Sequence, residues 1–277
     1  MSSQGRKSTK LSTATSEKPI QKAAVAAQKA TKAATASAPR RRYRSILFQG
    51  MLIGLSSAFA FLTLLAKSTP FFPIDLEITR GIQIINNPVF TQMMVLISWP
   101  GFPPQSFVIP ALIAAFIYGL GLHWEAVAAL VAAISAAAVD GLVKTLIQRP
   151  RPAANLVHVL RILNSYSFPS GHVVFYVVFF GFLFFLAFVL LKASVPRFTV
   201  LIVSGVLILL VGASRIYEGE HWASDVLGAY LLGSLLLVAN IAFYRWGKRR
   251  FFVARAQPVD ASEKPGPAAP KSTSKTG

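Results

Sequence analysis

"VVFYVVFFGFLFFLAFVLL", residues 173–191, contains no charged side chain, and Tyr176 is its only side chain able to form a hydrogen bond. A helix needs about 20 apolar residues to cross the hydrocarbon core of a bilayer, with a range of about 17–25. Backbone groups inside lipid must bond within their own segment, so the run predicts a transmembrane helix and not a strand. Its phenylalanines are expected to face lipid and neighbouring helices, with some touching acyl chains. Directly before it stands Pro169-Ser170-Gly171-His172, which puts polar groups at the mouth of the helix.

Five more apolar stretches lie outward from this one: Ile46–Ala66, Ser106–Leu122, Trp124–Ile147, Arg197–Ala213 and Val226–Tyr244. The fold class that follows is all-α, an integral membrane bundle of six transmembrane helices. Residues 81–99, "GIQIINNPVFTQMMVLISW", are split by Pro88 and stopped by Pro100. They read either as a partly inserted helix or as a cap outside the membrane, and "PGFPP", 100–104, reads as a rigid turn. Over the whole chain 54% of residues are hydrophobic and 14% charged, about half the charged share of a soluble domain. With no cysteine, disulfide and thiolate chemistry are excluded.

The formal net charge of +18 sits almost wholly in the two ends. Residues 1–44 hold 11 Lys/Arg against one Glu, and residues 245–277 hold 8 against two acids. This gives a basic, disordered N-terminal tail over 1–44, a membrane domain over 45–245 and a basic Pro/Ser-rich C-terminal tail over 246–277. Basic tails flanking an apolar domain suit the cytoplasmic face of a membrane, where anionic lipids attract them. No aromatic residues interleave with the first lysines, which argues against nucleic acid as a partner. Lys/Arg clusters at 40–44, at 192 and 197, and at 245–250 fall on one side after six crossings. Both termini are therefore expected in the cytoplasm. Arg149, Arg151, Arg161 and Arg215 then lie on the opposite side and need another reason to exist.

Three segments gather there. Lys144 to Arg151-Pro152 closes the third span, Pro169 to His172 opens the fourth, and Ser214-Arg215 to His221 and Asp225 joins the fifth to the sixth. Lys144, Arg151 and Arg215, with the free amides of a Ser-Gly turn at a helix N-terminus, make a phosphate cradle. His221 and Asp225 are four residues apart, on one helical face. A carboxylate bonded to one imidazole nitrogen sharpens the other as a nucleophile or base, and leaves His172 free to donate a proton. These are the parts that phosphoryl transfer needs.

The spacing resembles the type-2 phosphatidate phosphatase superfamily, which includes lipid phosphate phosphatases and the vanadium haloperoxidases. Its motifs Lys-x6-Arg-Pro, Pro-Ser-Gly-His and Ser-Arg-x5-His-x3-Asp are all intact here and in order. The resemblance covers residues 45–245. It implies that His221 attacks phosphorus to form a phosphohistidine, that Asp225 orients His221, and that His172 protonates the leaving oxygen. Lys144, Arg151, Ser170, Gly171 and Arg215 would hold the phosphate oxygens. No metal or other cofactor is implied. The active site is expected at the non-cytoplasmic ends of helices 3–6, facing periplasm or lumen.

The expected substrate is a lipid phosphate monoester or an isoprenoid diphosphate, with phosphatidic acid and undecaprenyl diphosphate favoured, and membrane lipids are the surrounding partners. Two other functions fit the same parts: a lipid phosphotransferase with a non-water acceptor, and a non-catalytic scaffold that binds lipid headgroups. Among the remaining polar residues, His123 and His158 read as surface groups and Glu218 and Glu220 as solvated loop acids. Asp140, one turn before Lys144, is a candidate partner for it.

Overall fold

The computed structural model describes residues 38–253, with side chains from 43 to 251; the expectations for residues 1–37 and 254–277 fall outside the described residues. Eight helices order the described chain: α1 Ala38–Ser68, α2 Pro73–Gln83, α3 Pro88–Ser98, α4 Gln105–Gly119, α5 His123–Ile147, α6 Gly171–Leu190, α7 Val195–Tyr217 and α8 Ala223–Gly247. No strand occurs among the described residues. Helices α1, α5, α6, α7 and α8 are each long and apolar enough to span a membrane. α1 begins at Ala38, inside the segment read as a tail, and α8 runs on through a π-helical turn, Lys248–Val253.

The sixth candidate span is not a straight helix. α4 has only 15 residues, too few for a full span, and meets α3 at a bend of 63° through the turn at 99–104. Asn87 starts α3 by accepting from the amides of Val89 (2.8 Å) and Phe90 (3.2 Å), with Pro88 at the first position, where its missing N–H costs nothing. The 81–99 stretch thus divides at Pro88 as the sequence suggests, and its second half pairs with α4 as one broken element.

The first half of the phenylalanine-rich α6 is the centre of the bundle, and exposed phenylalanines, Phe184 and Phe188, come only in its second half. Val173, Val174, Tyr176, Val178, Phe179 and Phe182 are wholly buried. Lipid is as apolar as leucine, so hydropathy cannot tell a buried helix from a lipid-exposed one, and shape decides. Phe175 and Phe179 stack at 5.4 Å, and the π-helical turn Tyr176–Phe180 lets the Tyr176 hydroxyl donate to the Ile97 carbonyl of α3 (2.5 Å). Small residues admit the neighbouring helices. Ala128, Ala129, Ala132 and Ala136 put one buried face on α5, and a Cβ on Gly233 of α8 would come within 2.8 Å of the Val177 side chain.

At the end of α5 remote from the three motifs, Glu125 is buried and accepts from Tyr244 Oη (2.9 Å) and Lys248 Nζ (2.6 Å), while Trp124 Nε1 donates to the Tyr244 carbonyl (3.0 Å). This clasp fixes α5 to α8. Gly233→Val is expected to destabilise the bundle by about 1–3 kcal/mol, the usual cost of overpacking a close contact. Thermal unfolding in detergent reads it as a lowered midpoint.

Candidate functional site

The three motif segments converge on a cleft of about 810 Å³, lined at one end by Asp140, Lys144, Arg151, Ser165, Gly171, His172 and His221. Ser170, Arg215 and Asp225 lie behind these residues, wholly buried, and do not line the cleft. Both imidazoles therefore face one cavity, while the Arg215 guanidinium and the Asp225 carboxylate act from its rear wall.

Lys144, in the last turn of α5, donates to Asp140 Oδ1 (2.7 Å) and also to the Pro169 carbonyl. The pairing with Asp140 is present, and it gives the carboxylate in the membrane-spanning helix the partner it requires. Asp140 also packs against the second motif, where a Cβ on Gly171 would sit 2.8 Å from Asp140 Oδ2. The Oγ of Ser170 has no partner, a free donor at the first turn of α6.

Arg151 leaves α5 after a left-handed residue, Gln148 (φ 55°). Its guanidinium is held by the Ser165 carbonyl (2.8 Å), Ser165 Oγ (2.9 Å) and the Glu220 carbonyl (2.6 Å). Arg151 Nη1 also lies 3.2 Å from His221 Nε2. Arginine can only donate, so Nε2 must accept, which places the imidazole proton on Nδ1. Burial, and then the charges of Arg151, Lys144 and Arg215, hold the His221 pKa well below the ordinary imidazole value.

His221 sits in a turn that only glycine permits. Gly219 has φ 67°, and a Cβ there would collide with the His158 carbonyl at 2.1 Å. The Asp225 Oδ2–His221 Nδ1 distance is 3.8 Å, beyond hydrogen-bonding range. Asp225 is instead occupied by Arg149 Nη1 (2.5 Å), Ser167 Oγ (2.5 Å) and the Trp222 amide (2.9 Å).

The acids between Arg215 and His221 are not solvated. Glu218 and Glu220 are buried, and both pair with Arg215, Glu218 Oε2 lying 3.2 Å from Nη1. Glu218 Oε1 also accepts from Ser98 (2.6 Å) and Ser214 (3.0 Å), which ties α3 to α7. An unpaired guanidinium in this setting would be costly, and losing one partner of such a pair costs about 3–5 kcal/mol. Phe102, from the "PGFPP" turn, joins the groups from outside. Its ring lies 4.3 Å from the His172 ring, 4.9 Å from the Arg215 guanidinium and 4.0 Å from that of Arg161. A Cβ on Gly101 would strike His172 at 2.3 Å, so that residue must be glycine. His123 and His158 are exposed, as the sequence suggests.

Sequence reasoning missed Asp75, Phe102 and the role of Arg149. The one available signal was Arg149's place among cations on the unexpected side. Every such cation has a partner: Arg149 has Asp75 and Asp225, Arg151 has the Ser165 and Glu220 carbonyls, Arg161 has Phe102, and Arg215 has two glutamates.

The PAP2 superfamily sequence profile matches residues 125–251. Phosphatidylglycerophosphatase B of Bacillus subtilis is 33% identical over 173 residues, which cover 58% of this chain and 79% of that protein. The crystal structure of the transmembrane PAP2-type phosphatidylglycerolphosphate phosphatase from Bacillus subtilis superposes with a TM-score of 0.63 at 28% identity, covering 72% of this chain and 98% of that one. Aquifex aeolicus LpxE also aligns, with a TM-score of 0.45 at 23% identity over 62% of this chain and 96% of that one.

The lowered His221 pKa has a direct spectroscopic consequence. With the protein's 4 histidines labelled with ¹⁵N and His221 assigned by His221→Gln, its imidazole is expected to remain neutral at pH 6, below the ordinary value of about 6.5. A doubly protonated spectrum for His221 at that pH would contradict the arrangement described.

Proposed function

The chain belongs to the PAP2 superfamily of membrane phosphatases, enzymes that hydrolyse phosphate esters, and from that premise we propose that it cleaves lipid phosphate monoesters or diphosphates through a phosphohistidine on His221. The observation that carries the lipid reading is the composition of the cleft. Its polar end holds both imidazoles, Lys144 and Arg151, and it continues between α4 and α5 along Phe107, Pro110, Leu130, Ala133, Ile134 and Ala137. A charged headgroup fits the first part and a hydrocarbon chain the second.

In this reading Lys144 and Arg151 receive the phosphate oxygens from inside the cleft, with the Ser170 hydroxyl and the Gly171 amide as further donors. Arg215 acts from the rear, its charge balanced by Glu218 and Glu220. His221 Nε2 attacks phosphorus, the N–P bond forms and the bond to the leaving oxygen breaks. His172 supplies the proton that the leaving oxygen takes. Water, deprotonated by the same imidazole, then attacks phosphorus, and the N–P bond breaks to return neutral His221 and release inorganic phosphate. Phosphatidic acid, undecaprenyl diphosphate and the phosphatidylglycerophosphate named for the Bacillus subtilis relative are the substrates to assay first. Hydrolysis of these lipids in detergent is expected to fall on the order of 10⁴-fold or more in His221→Ala, as for loss of a covalent nucleophile elsewhere. Acid-labile labelled phosphate on the wild-type protein, absent from the mutant, identifies the intermediate. Transfer of the label to lipid instead of water would make the enzyme a transferase, and lipid binding without turnover would make it a scaffold.

The Lys/Arg bias supports an active site facing periplasm or lumen, with both termini in the cytoplasm. The chain has no cysteine, so one introduced thiol reports cleanly. Tyr166→Cys, in the exposed loop between α5 and α6, is expected to react with a membrane-impermeant maleimide added to the non-cytoplasmic side of sealed membranes. Labelling only after permeabilisation would reverse the orientation.

A further inference from the structure

Arg149 touches nothing in the cleft and is wholly buried. It joins three parts of the chain that are distant in sequence. Nε donates to the Pro70 carbonyl (3.1 Å), Nη2 pairs with Asp75 Oδ2 (3.1 Å), and Nη1 binds Ser224 Oγ (2.7 Å) and Asp225 Oδ1 (2.5 Å). Asp75 accepts from the amide and the hydroxyl of Ser224, each at 2.7 Å, and from the Phe72 amide (3.0 Å) at the start of α2. Two carboxylates, one guanidinium and one serine thus close a ring across the first turn of α8, directly behind His221.

We propose that Asp75 and Arg149 are positioning residues for the hydrolytic reaction, holding Asp225 at the distance and in the charge state that His221 requires; α2, which lines no part of the cleft, thereby belongs to the catalytic apparatus. This rests on the reading of His221 as the nucleophile. The geometry behind it is specific. Arg149 anchors Asp225 Oδ1, so Oδ2, which also accepts from Ser167 Oγ and the Trp222 amide, is the oxygen presented to His221 Nδ1, now 3.8 Å away. When Nε2 bonds to phosphorus the imidazole becomes cationic, and its Nδ1–H must find an acceptor. Asp225 meets that need by a small rotation about the anchored oxygen. Asp75 limits how far Arg149 can follow, because it holds Nη2 while Nη1 holds Asp225. Without Asp75 the guanidinium is free to take both oxygens of Asp225 as a bidentate pair and draw the carboxylate away from the imidazole.

The test compares Asp75→Asn, Arg149→Lys and Arg149→Gln with wild type in detergent, using one lipid phosphate substrate and inorganic phosphate as competitive inhibitor. Glu77→Gln, an exposed change on the same helix, serves as control. For Asp75→Asn, kcat is expected to fall about tenfold or more, while KM and the phosphate inhibition constant stay within about twofold, because misplacement behind the reacting atom leaves the cradle intact. Arg149→Lys should recover part of what Arg149→Gln loses. Phosphohistidine formation in a single turnover should slow in parallel with kcat. Folded variants with wild-type kcat, or with kcat, KM and phosphate affinity all lost together, overturn the proposal. If the charge variants do not fold, Ser224→Ala keeps every charge and removes one hydroxyl. It should lower kcat with KM unchanged, and equal kcat would overturn the proposal. His221→Ala separates the two levels: if it keeps activity, the nucleophile assignment fails, whereas if it is inactive while Asp75→Asn is unimpaired, only the positioning role fails.

Discussion

A guanidinium buried next to hydrocarbon needs a carboxylate, and Arg149 has two of them, Asp75 and Asp225. The first comes from a helix outside the long apolar spans, the second from the helix that follows the His221 turn. Neither carboxylate would itself be stable there without the guanidinium, since an isolated buried charge costs far more than any hydrogen bond returns. The pairing therefore determines where α2 docks, where α5 ends and how α8 begins. The same logic repeats at Arg215 with Glu218 and Glu220, which draw in α3 through Ser98. Behind the cleft, four carboxylates surround two guanidiniums. The positive charge left facing the cleft comes from Lys144 and Arg151, and Asp140 tempers the former.

This division gives the site two layers with different duties. The front layer, with His172, His221, Lys144 and Arg151, is open to the cleft and carries groups whose hydrogen bonds can be exchanged for those of a ligand. Arg151 illustrates this, because its contact with His221 Nε2 occupies the very lone pair that a phosphorus atom would take. The rear layer is buried, and its two guanidiniums are ion-paired. Such an arrangement presents donors without reorganisation when charge moves during reaction, which is where preorganised sites gain most.

Much of this was legible in the sequence. Apolar runs located the five long helices because the bilayer fixes their length, and the three motifs stood out because the chemistry demands those residues at those helix ends. Other features were hidden for physical reasons. α2 is short, begins with proline and turns its polar face, Asp75 and Thr79, toward protein instead of water, so no apolar run marks it. Glu218 and Glu220 look like solvated acids until Arg215 is seen against them. The burial of α6 could not be read at all, since a phenylalanine suits lipid and core equally. The local sequence marks the turn at 99–104, but the close approach of Gly101 to His172, 71 positions apart in the chain, is encoded by no local pattern.

The clasp of Glu125, Tyr244, Lys248 and Trp124 acquires a mechanical meaning beside the Arg149 ring. α5 and α8 are riveted together at both extremities, over a length of roughly 35 Å for helices of this size. A beam fixed at both ends can neither slide nor pivot, so this pair serves as a chassis. The cleft has α5 as one wall and α4 as the other, and α4 leaves Leu112 and Phe116 exposed away from it. For the lipid substrate proposed, a hydrocarbon tail entering sideways would then displace the α4 wall and not the α5–α8 pair.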